Sequence, residues 1–233
     1  MMELQHRTEL TGTARIESAI AYFPFDEAKK ALEKGGYKII SLKENAGLRM
    51  LSHAGSDIHK GNFVREGVIY LPTQHEIFLT ENSPIMLNPK EATKAHTNQS
   101  HRSAKEYFLT EWQTEQAMEG AVKFPNKPIP TNRLGEEEIT AYAFGKNAKA
   151  YGDFLHDFGV DEFLMRIDNY GLESKLPQGY ITEYYPKSFL ARPLIFVGIN
   201  KNDTKSGGLQ SRCIDRLSYP DKKIRGIKIL LEK

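Results

Sequence analysis

The chain has 233 residues, 39% of them hydrophobic and 27% charged, a balance that suits a folded core and excludes a disordered chain. Its 12 Phe and 11 Tyr point the same way, because rings supply much of a core's buried area. One cysteine, Cys213, excludes an intramolecular disulfide and a cysteine-based zinc cage, and a formal net charge of +2 leaves no strong overall field.

Residues 13–23 alternate, with Ala14, Ile16, Ser18, Ile20 and Tyr22 on one side and Arg15 and Glu17 on the other. That period predicts a half-buried strand. Asp26 is placed to cap a short helix over 27–34 that buries Ala28, Ala31 and Leu32, and Gly35-Gly36 can end it. A strand over 37–42 completes an N-terminal β-α-β unit. Short strands are then expected over 48–52, 63–71, 76–80 and 85–87, separated by Gly-, Asn- and Pro-containing turns.

Asn88-Pro89 marks a helix entrance, with Pro89 preset for the first turn and Glu91 able to complete a capping-box-like bond. The helix is expected to reach about residue 119, with Ala104, Phe108 and Trp112 four apart on one face. Pro125, Pro128 and Pro130 make 120–134 an extended connection, the one candidate for an internal boundary. A second helical region spans 136–168, broken near Gly152 and Gly159, and strands follow over 180–185, 194–199 and 227–231.

The resulting expectation is an α+β fold formed as a single domain over 1–233. It combines a mostly antiparallel sheet with a central helical block, 90–168, packed on it through Phe108, Trp112 and Ile139. No run of about eighteen apolar residues is present, so no membrane association is expected. With no basic leader ahead of an apolar run in the first residues, the cytoplasm is the expected compartment.

The densest set of reactive side chains lies in the loop 52–62, Ser-His-Ala-Gly-Ser-Asp-Ile-His-Lys-Gly-Asn. Neutral imidazole and carboxylate are ordinary ligands of divalent metals, so His53, Asp57 and His59 are the candidate metal set. The same atoms could work without metal, with Asp57 orienting a histidine that acts as general base and Ser56 as nucleophile or substrate contact. Lys60 and the glycine amides suit a phosphate. The spacing matches no defined metal motif, and the cofactor expectation stops at a divalent ion.

In the polar run 96–102, His96 and His101 are five apart and diverge on a helix, whereas Asn98, Arg102 and Lys105 could line a groove that reads polar ligand groups. Asp153, His156 and Asp157 share one helix face at i, i+3 and i+4. Over five residues, Leu155-His156-Asp157-Phe158-Gly159 resembles the His-Asp dyad of the HD-domain metal-dependent phosphohydrolases. That family implies an all-helical fold, a nearby upstream histidine and a downstream aspartate; here the nearest upstream histidine is the distant His101, and the chain is rich in strands.

From Lys201 onward there are nine Lys or Arg against four Asp or Glu. Lys222, Lys223 and Arg225, with Tyr219 beside them, are the candidate nucleic-acid contacts, because cations neutralise phosphates and tyrosine stacks on bases. No helix-turn-helix, zinc finger or RNA-binding strand motif accompanies them. Phosphate-binding-loop, dinucleotide, nucleophile-elbow and zinc-deaminase patterns are missing as well. The leading expectation is an enzyme acting on a polar or phosphate-bearing substrate at the 52–62 loop. The alternative is a noncatalytic module that meets nucleic acid or an acidic partner through its basic end.

Overall fold

The computed structural model describes residues 4–11, 14–22, 24–52, 56–71, 76–98, 107–125, 127–167, 189–200, 207–211 and 223–230. The chain opens with β1 (Gln5–Thr11) and β2 (Ala14–Tyr22), an antiparallel pair. Helix α1 (Phe25–Lys34) follows Pro24 and carries Asp26 and Glu27 in its first turn, where the helix dipole favours acids. It buries Phe25, Ala28 and Leu32, and ends where Gly36 takes φ 80°. Strand β3 (Lys38–Ile39) comes next. β2 and β3 do not pair with each other, because the late strand β12 (Lys223–Leu230) lies between them, antiparallel to both.

Helix α2 (Leu42–Leu51) replaces the strand expected over 48–52. Ser41 and Glu44 form a capping box: the serine side chain accepts from the Glu44 amide and the glutamate accepts from the Ser41 amide. This satisfies two otherwise orphaned donors and starts a helix through what reads locally as a short apolar run. β4 (Asn62–Leu71) and β5 (Glu76–Thr80) form an antiparallel pair. The segment 85–87 belongs to the short helix α3 (Pro84–Leu87), with Pro84 at its first position, rather than to a strand.

The long helix expected from Asn88 is divided. α4 (Pro89–Asn98) begins at the expected proline, β6 (Tyr107–Phe108) pairs with a late strand, and α5 (Glu111–Met118) restarts on a Thr110–Gln113 capping box. Phe108 is thus a strand residue, and Trp112 is 63% exposed rather than packed on the sheet. β7 (Val122–Lys123) and β8 (Ile129–Pro130) occupy the proline-rich connection. α6 (Glu138–Phe144) and α7 (Ala148–Asp157) follow, with Gly159 at φ 84° just beyond α7. The expected helix to residue 168 gives way to β9 (Glu162–Ile167). β10 (Leu190–Phe196), β11 (Gly208–Ser211) and β12 complete the described elements.

The fold is α+β, and its strands run β1-β2-β12-β4-β10-β11-β9-β8. The sheet is mixed, which corrects the expectation of a mostly antiparallel one: β9 runs parallel to β11, and β12 parallel to β4. The second pairing follows from β12 returning to the middle of the sheet instead of closing a hairpin at its edge.

Both faces of the central strands are covered. Ala19, Ala21, Phe63, Ala191 and Ile224 bury one face against Phe25, Ala28, Leu32, Ile85 and Ala92 of α1, α3 and α4. Val64, Val68, Leu194, Phe196 and Leu209 bury the other against Leu42, Ala46, Ile139, Phe144 and Tyr151 of α2, α6 and α7. Small alanines on β2 let α1 approach closely, which is why this strand is buried on both sides instead of one. Among the described residues, no helix is long and apolar enough to cross a membrane.

Gly208 marks the tightest strand approach. Its φ is 116°, and an added Cβ would fall on the carbonyl oxygen of Leu164 in the adjacent β9. Gly208→Ala is therefore expected to destabilise the chain by about 3 kcal/mol or more, since both the dihedral and the contact are unfavourable. Urea unfolding of the two proteins measures the difference.

Candidate functional site

The site is built from α2 outward. Leu42, Asn45, Ala46, Leu48 and Arg49 are the buried positions of this helix, so an arginine occupies the inward stripe ordinarily given to apolar residues. Arg49 is fully buried, and among the described residues its guanidinium is met by carbonyl and hydroxyl oxygens rather than by a carboxylate. Nε donates to the Ile58 carbonyl at 3.2 Å, and Nη1 donates to the Val197 carbonyl at 2.9 Å and the Tyr151 hydroxyl at 3.3 Å. Nη2 faces the carbonyls of Phe196 and Lys60 at 3.4 and 3.5 Å. The group also lies 3.8 Å from the centroid of the Phe196 ring, where the ring's negative face favours a cation.

These bonds set the loop. Ser56 caps a 3-10 turn, Asp57–His59, by accepting from the Ile58 amide at 3.5 Å. The turn closes with His59 N–H on Ser56 O and Lys60 N–H on Asp57 O, and Ile199 N–H binds His59 O at 2.8 Å. His59 is only 4% exposed. Its Nε2 lies 3.1 Å from the Arg49 carbonyl, which can only accept, so Nε2 carries the proton. The ring packs edge-on against Phe158 at 5.3 Å and lies 6.1 Å from Phe154.

Asp57 turns to a different set of partners. Arg225 on β12 donates through Nη2 to Oδ2 and to the Asp57 main-chain oxygen, each at 3.0 Å, while its Nη1 reaches the Ser18 hydroxyl at 3.3 Å. Lys60 Nζ is 3.0 Å from Oδ1, and Lys223 Nζ is 3.4 Å from the same oxygen. Burial works against ionisation of this carboxyl. The Lys60 hydrogen bond and the charges of Lys223, Arg225 and Lys60 outweigh it and hold the pKa at about 2.

The loop and the basic end, distant in sequence, thus meet in space. Lys60 and Asp57 come from the loop, Lys223 and Arg225 from β12. Asp57 and His59, two members of the expected metal set, engage separate partners; His53, the third, lies outside the described residues, as do Arg102 and Lys222. Among the described residues, no group of three or more His, Cys, Asp or Glu is arranged to hold a metal ion. On α7, His156 Nδ1 is 3.9 Å from Asp161, and both side chains are exposed.

Sequence reasoning missed Arg49 and Ser18. Their signal was available in part: the Ser41-x-x-Glu44 box fixes the helix register that turns Arg49 inward. No family model, curated protein or solved structure matches the chain.

The depressed pKa of Asp57 makes an acid-stability prediction. Its ion pairs stabilise the fold fully above the unfolded pKa, near 4, and that contribution is lost as pH falls through about 2. Asp57→Asn should lower stability at pH 7 by about 1–2 kcal/mol after allowance for screening. It should also flatten the stability profile between about pH 4 and 2, read by urea unfolding across that range.

Proposed function

We propose that the chain binds a small phosphate-bearing, or similarly dianionic, ligand where the 56–62 loop meets the start of β12. The observation that carries this reading is the gathering of Lys60, Lys223 and Arg225 around the single carboxylate of Asp57. Among the described residues, these three cations meet one carboxylate, a locally positive balance. Arg225 is buried and held between Ser18 and Asp57, so its role is positioning. Lys60, with its side chain 65% exposed, and Lys223 beside it supply the charges that reach the ligand. Ammonium groups suit phosphate as point charges free to follow the ligand's geometry.

The polar or phosphate-bearing substrate expected of the loop keeps its place in this reading. His59, enclosed by rings and bonded to Arg49, acts as a positioning residue for the turn. In an enzymatic version, the acid–base group falls to His53. The metal-assisted version draws no support from the described residues.

Nucleic acid is the second reading, and strand alternation weighs against it. Lys223 and Arg225 lie on the face of β12 that meets the loop, whereas Lys228, an odd number of positions away, lies on the other face. There its Nζ sits 6.0 Å from the Tyr37 ring. A polynucleotide would need these cations along one surface.

Titration of the chain with inorganic pyrophosphate and with sulfate at low salt tests the reading. Binding is expected, and a Lys60→Ala, Lys223→Ala double variant should weaken it about tenfold or more, since each charged hydrogen bond is worth roughly 1.5–3 kcal/mol. Absent binding, or equal binding by the variant, overturns it. Tight oligonucleotide binding that also depends on Lys228 would favour the second reading.

A further inference from the structure

We infer that Glu66 makes anion binding at the loop sensitive to protons, acting through helix α2; the inference rests on the ligand site proposed above. Glu66 stands on β4, only 3% exposed, on the sheet face that α2 covers. Both of its carboxyl oxygens accept from one main-chain donor, the N–H of Leu42, at 3.1 and 3.0 Å. Leu42 is the first residue of α2, and Arg49 near the far end of the same helix bonds the carbonyls of Ile58 and Lys60. One short helix therefore joins a buried carboxyl to the loop that carries Asp57 and Lys60.

The surroundings of Glu66 disfavour its charge. Among the described residues, no lysine or arginine forms an ion pair with it. The charged groups within electrostatic reach are Arg65, its neighbour on β4, and Glu81, in the turn after β5. From α6, the Tyr142 hydroxyl accepts from the Glu81 amide at 2.9 Å, so it offers that turn no positive charge. Burial raises the Glu66 pKa most. Its own amide, the Leu42 amide and Arg65 pull the other way, Glu81 adds to the rise, and the carboxyl settles at about 7.

The sign follows from proton uptake. The folded chain binds the Glu66 proton more tightly than the unfolded chain does. Stability is therefore full below the unfolded pKa, near 4.5, and is lost as pH rises through about 7. Above that point the ionised carboxylate keeps its main-chain donors but is cut off from water, and this desolvation, which outweighs those bonds, favours states in which α2 lifts from β4 and water reaches Glu66. A loosened α2 holds Arg49 less firmly and with it the carbonyls that shape the loop. The anion is bound best by the protonated form.

Sulfate is the suitable probe, because it stays dianionic across the range. Its affinity for the intact chain should fall about fivefold or more between pH 6 and 8.5, the low end of ordinary coupling between sites. Glu66→Gln keeps a neutral acceptor for the Leu42 amide and should hold the affinity level over the same range. A fall of equal size in Glu66→Gln overturns the inference and assigns the dependence to another group. Amide shifts of Ile58, His59 and Lys60 in the ligand-free chain separate the two ideas. They should titrate near pH 7 in the native chain and not in Glu66→Gln. If they do, yet sulfate binds at no pH, the ligand reading fails; if they do not, the coupling fails even where sulfate binds.

Discussion

A buried guanidinium bonded to carbonyl and hydroxyl oxygens organises this molecule. Moving a charge out of water costs several kcal/mol, and Arg49 offsets that cost only because main-chain oxygens from separate segments converge on its fork. Ile58 and Lys60 supply the loop's share, Phe196 and Val197 the end of β10, and Tyr151 the contribution of α7. The Ile58 and Phe196 carbonyls that Arg49 meets are buried acceptors that gain a donor from it. The arrangement is mutually required: the helix end, the loop and the strand exit hold one another through a single side chain. Gly61 and Gly198 permit it, since a Cβ on either would stand 3.0–3.3 Å from the other segment's backbone.

The electrostatics of the loop follow from that anchoring. Once Ile58 and Lys60 are pinned, Asp57 is presented to β12, where Arg225 binds both its carboxylate and its carbonyl. Arg225 O in turn accepts from Ile40 N–H, one residue before the Ser41 cap of α2. The path closes on itself: α2, loop, β12, and back to the start of α2. A cation pair left at the rim of such a ring, Lys60 and Lys223, is held in place by groups that themselves stay out of solvent. Lys60 is exposed while Lys223 beside it is largely buried, and this placement of ammonium groups on a fixed frame is what makes the rim a candidate for an anion.

Local structure was legible where pattern and punctuation agreed. β5 runs from Glu76 to Thr80, as its short apolar run between turns suggested, and α4 starts at Pro89 behind Asn88. Gly36 and Gly159 carry the positive φ expected of helix terminators. Two of the errors share one cause: short apolar runs fit helix and strand alike. Leu48 and Met50 read as a strand until the Ser41–Glu44 box upstream is given weight, and Ile85–Leu87 likewise sits behind a proline that starts a helix turn. The spacing of Phe108 and Trp112 mimicked a helix face, although Thr110 and Gln113 between and after them form a new cap. The site was legible only as fragments. Asp57, Lys60, Lys223 and Arg225 each stood out, in two unrelated groups, and nothing local could reveal that a late strand inserts between β2 and β4 and brings them together. Arg49 was legible only through the Ser41–Glu44 box that sets its helix register, since an arginine in a helix is ordinarily a surface residue.

Native-state amide exchange of an Arg49→Lys variant tests the central role of this side chain most directly. Lysine keeps the charge but replaces a five-donor fork with a single ammonium, so it cannot bond all the converging carbonyls. The account predicts that the amides of His59, Lys60 and Ile199 lose protection about tenfold or more, while those of α1 and β2 keep theirs. Unchanged protection in the loop, or an equal loss in α1 and β2, would contradict it.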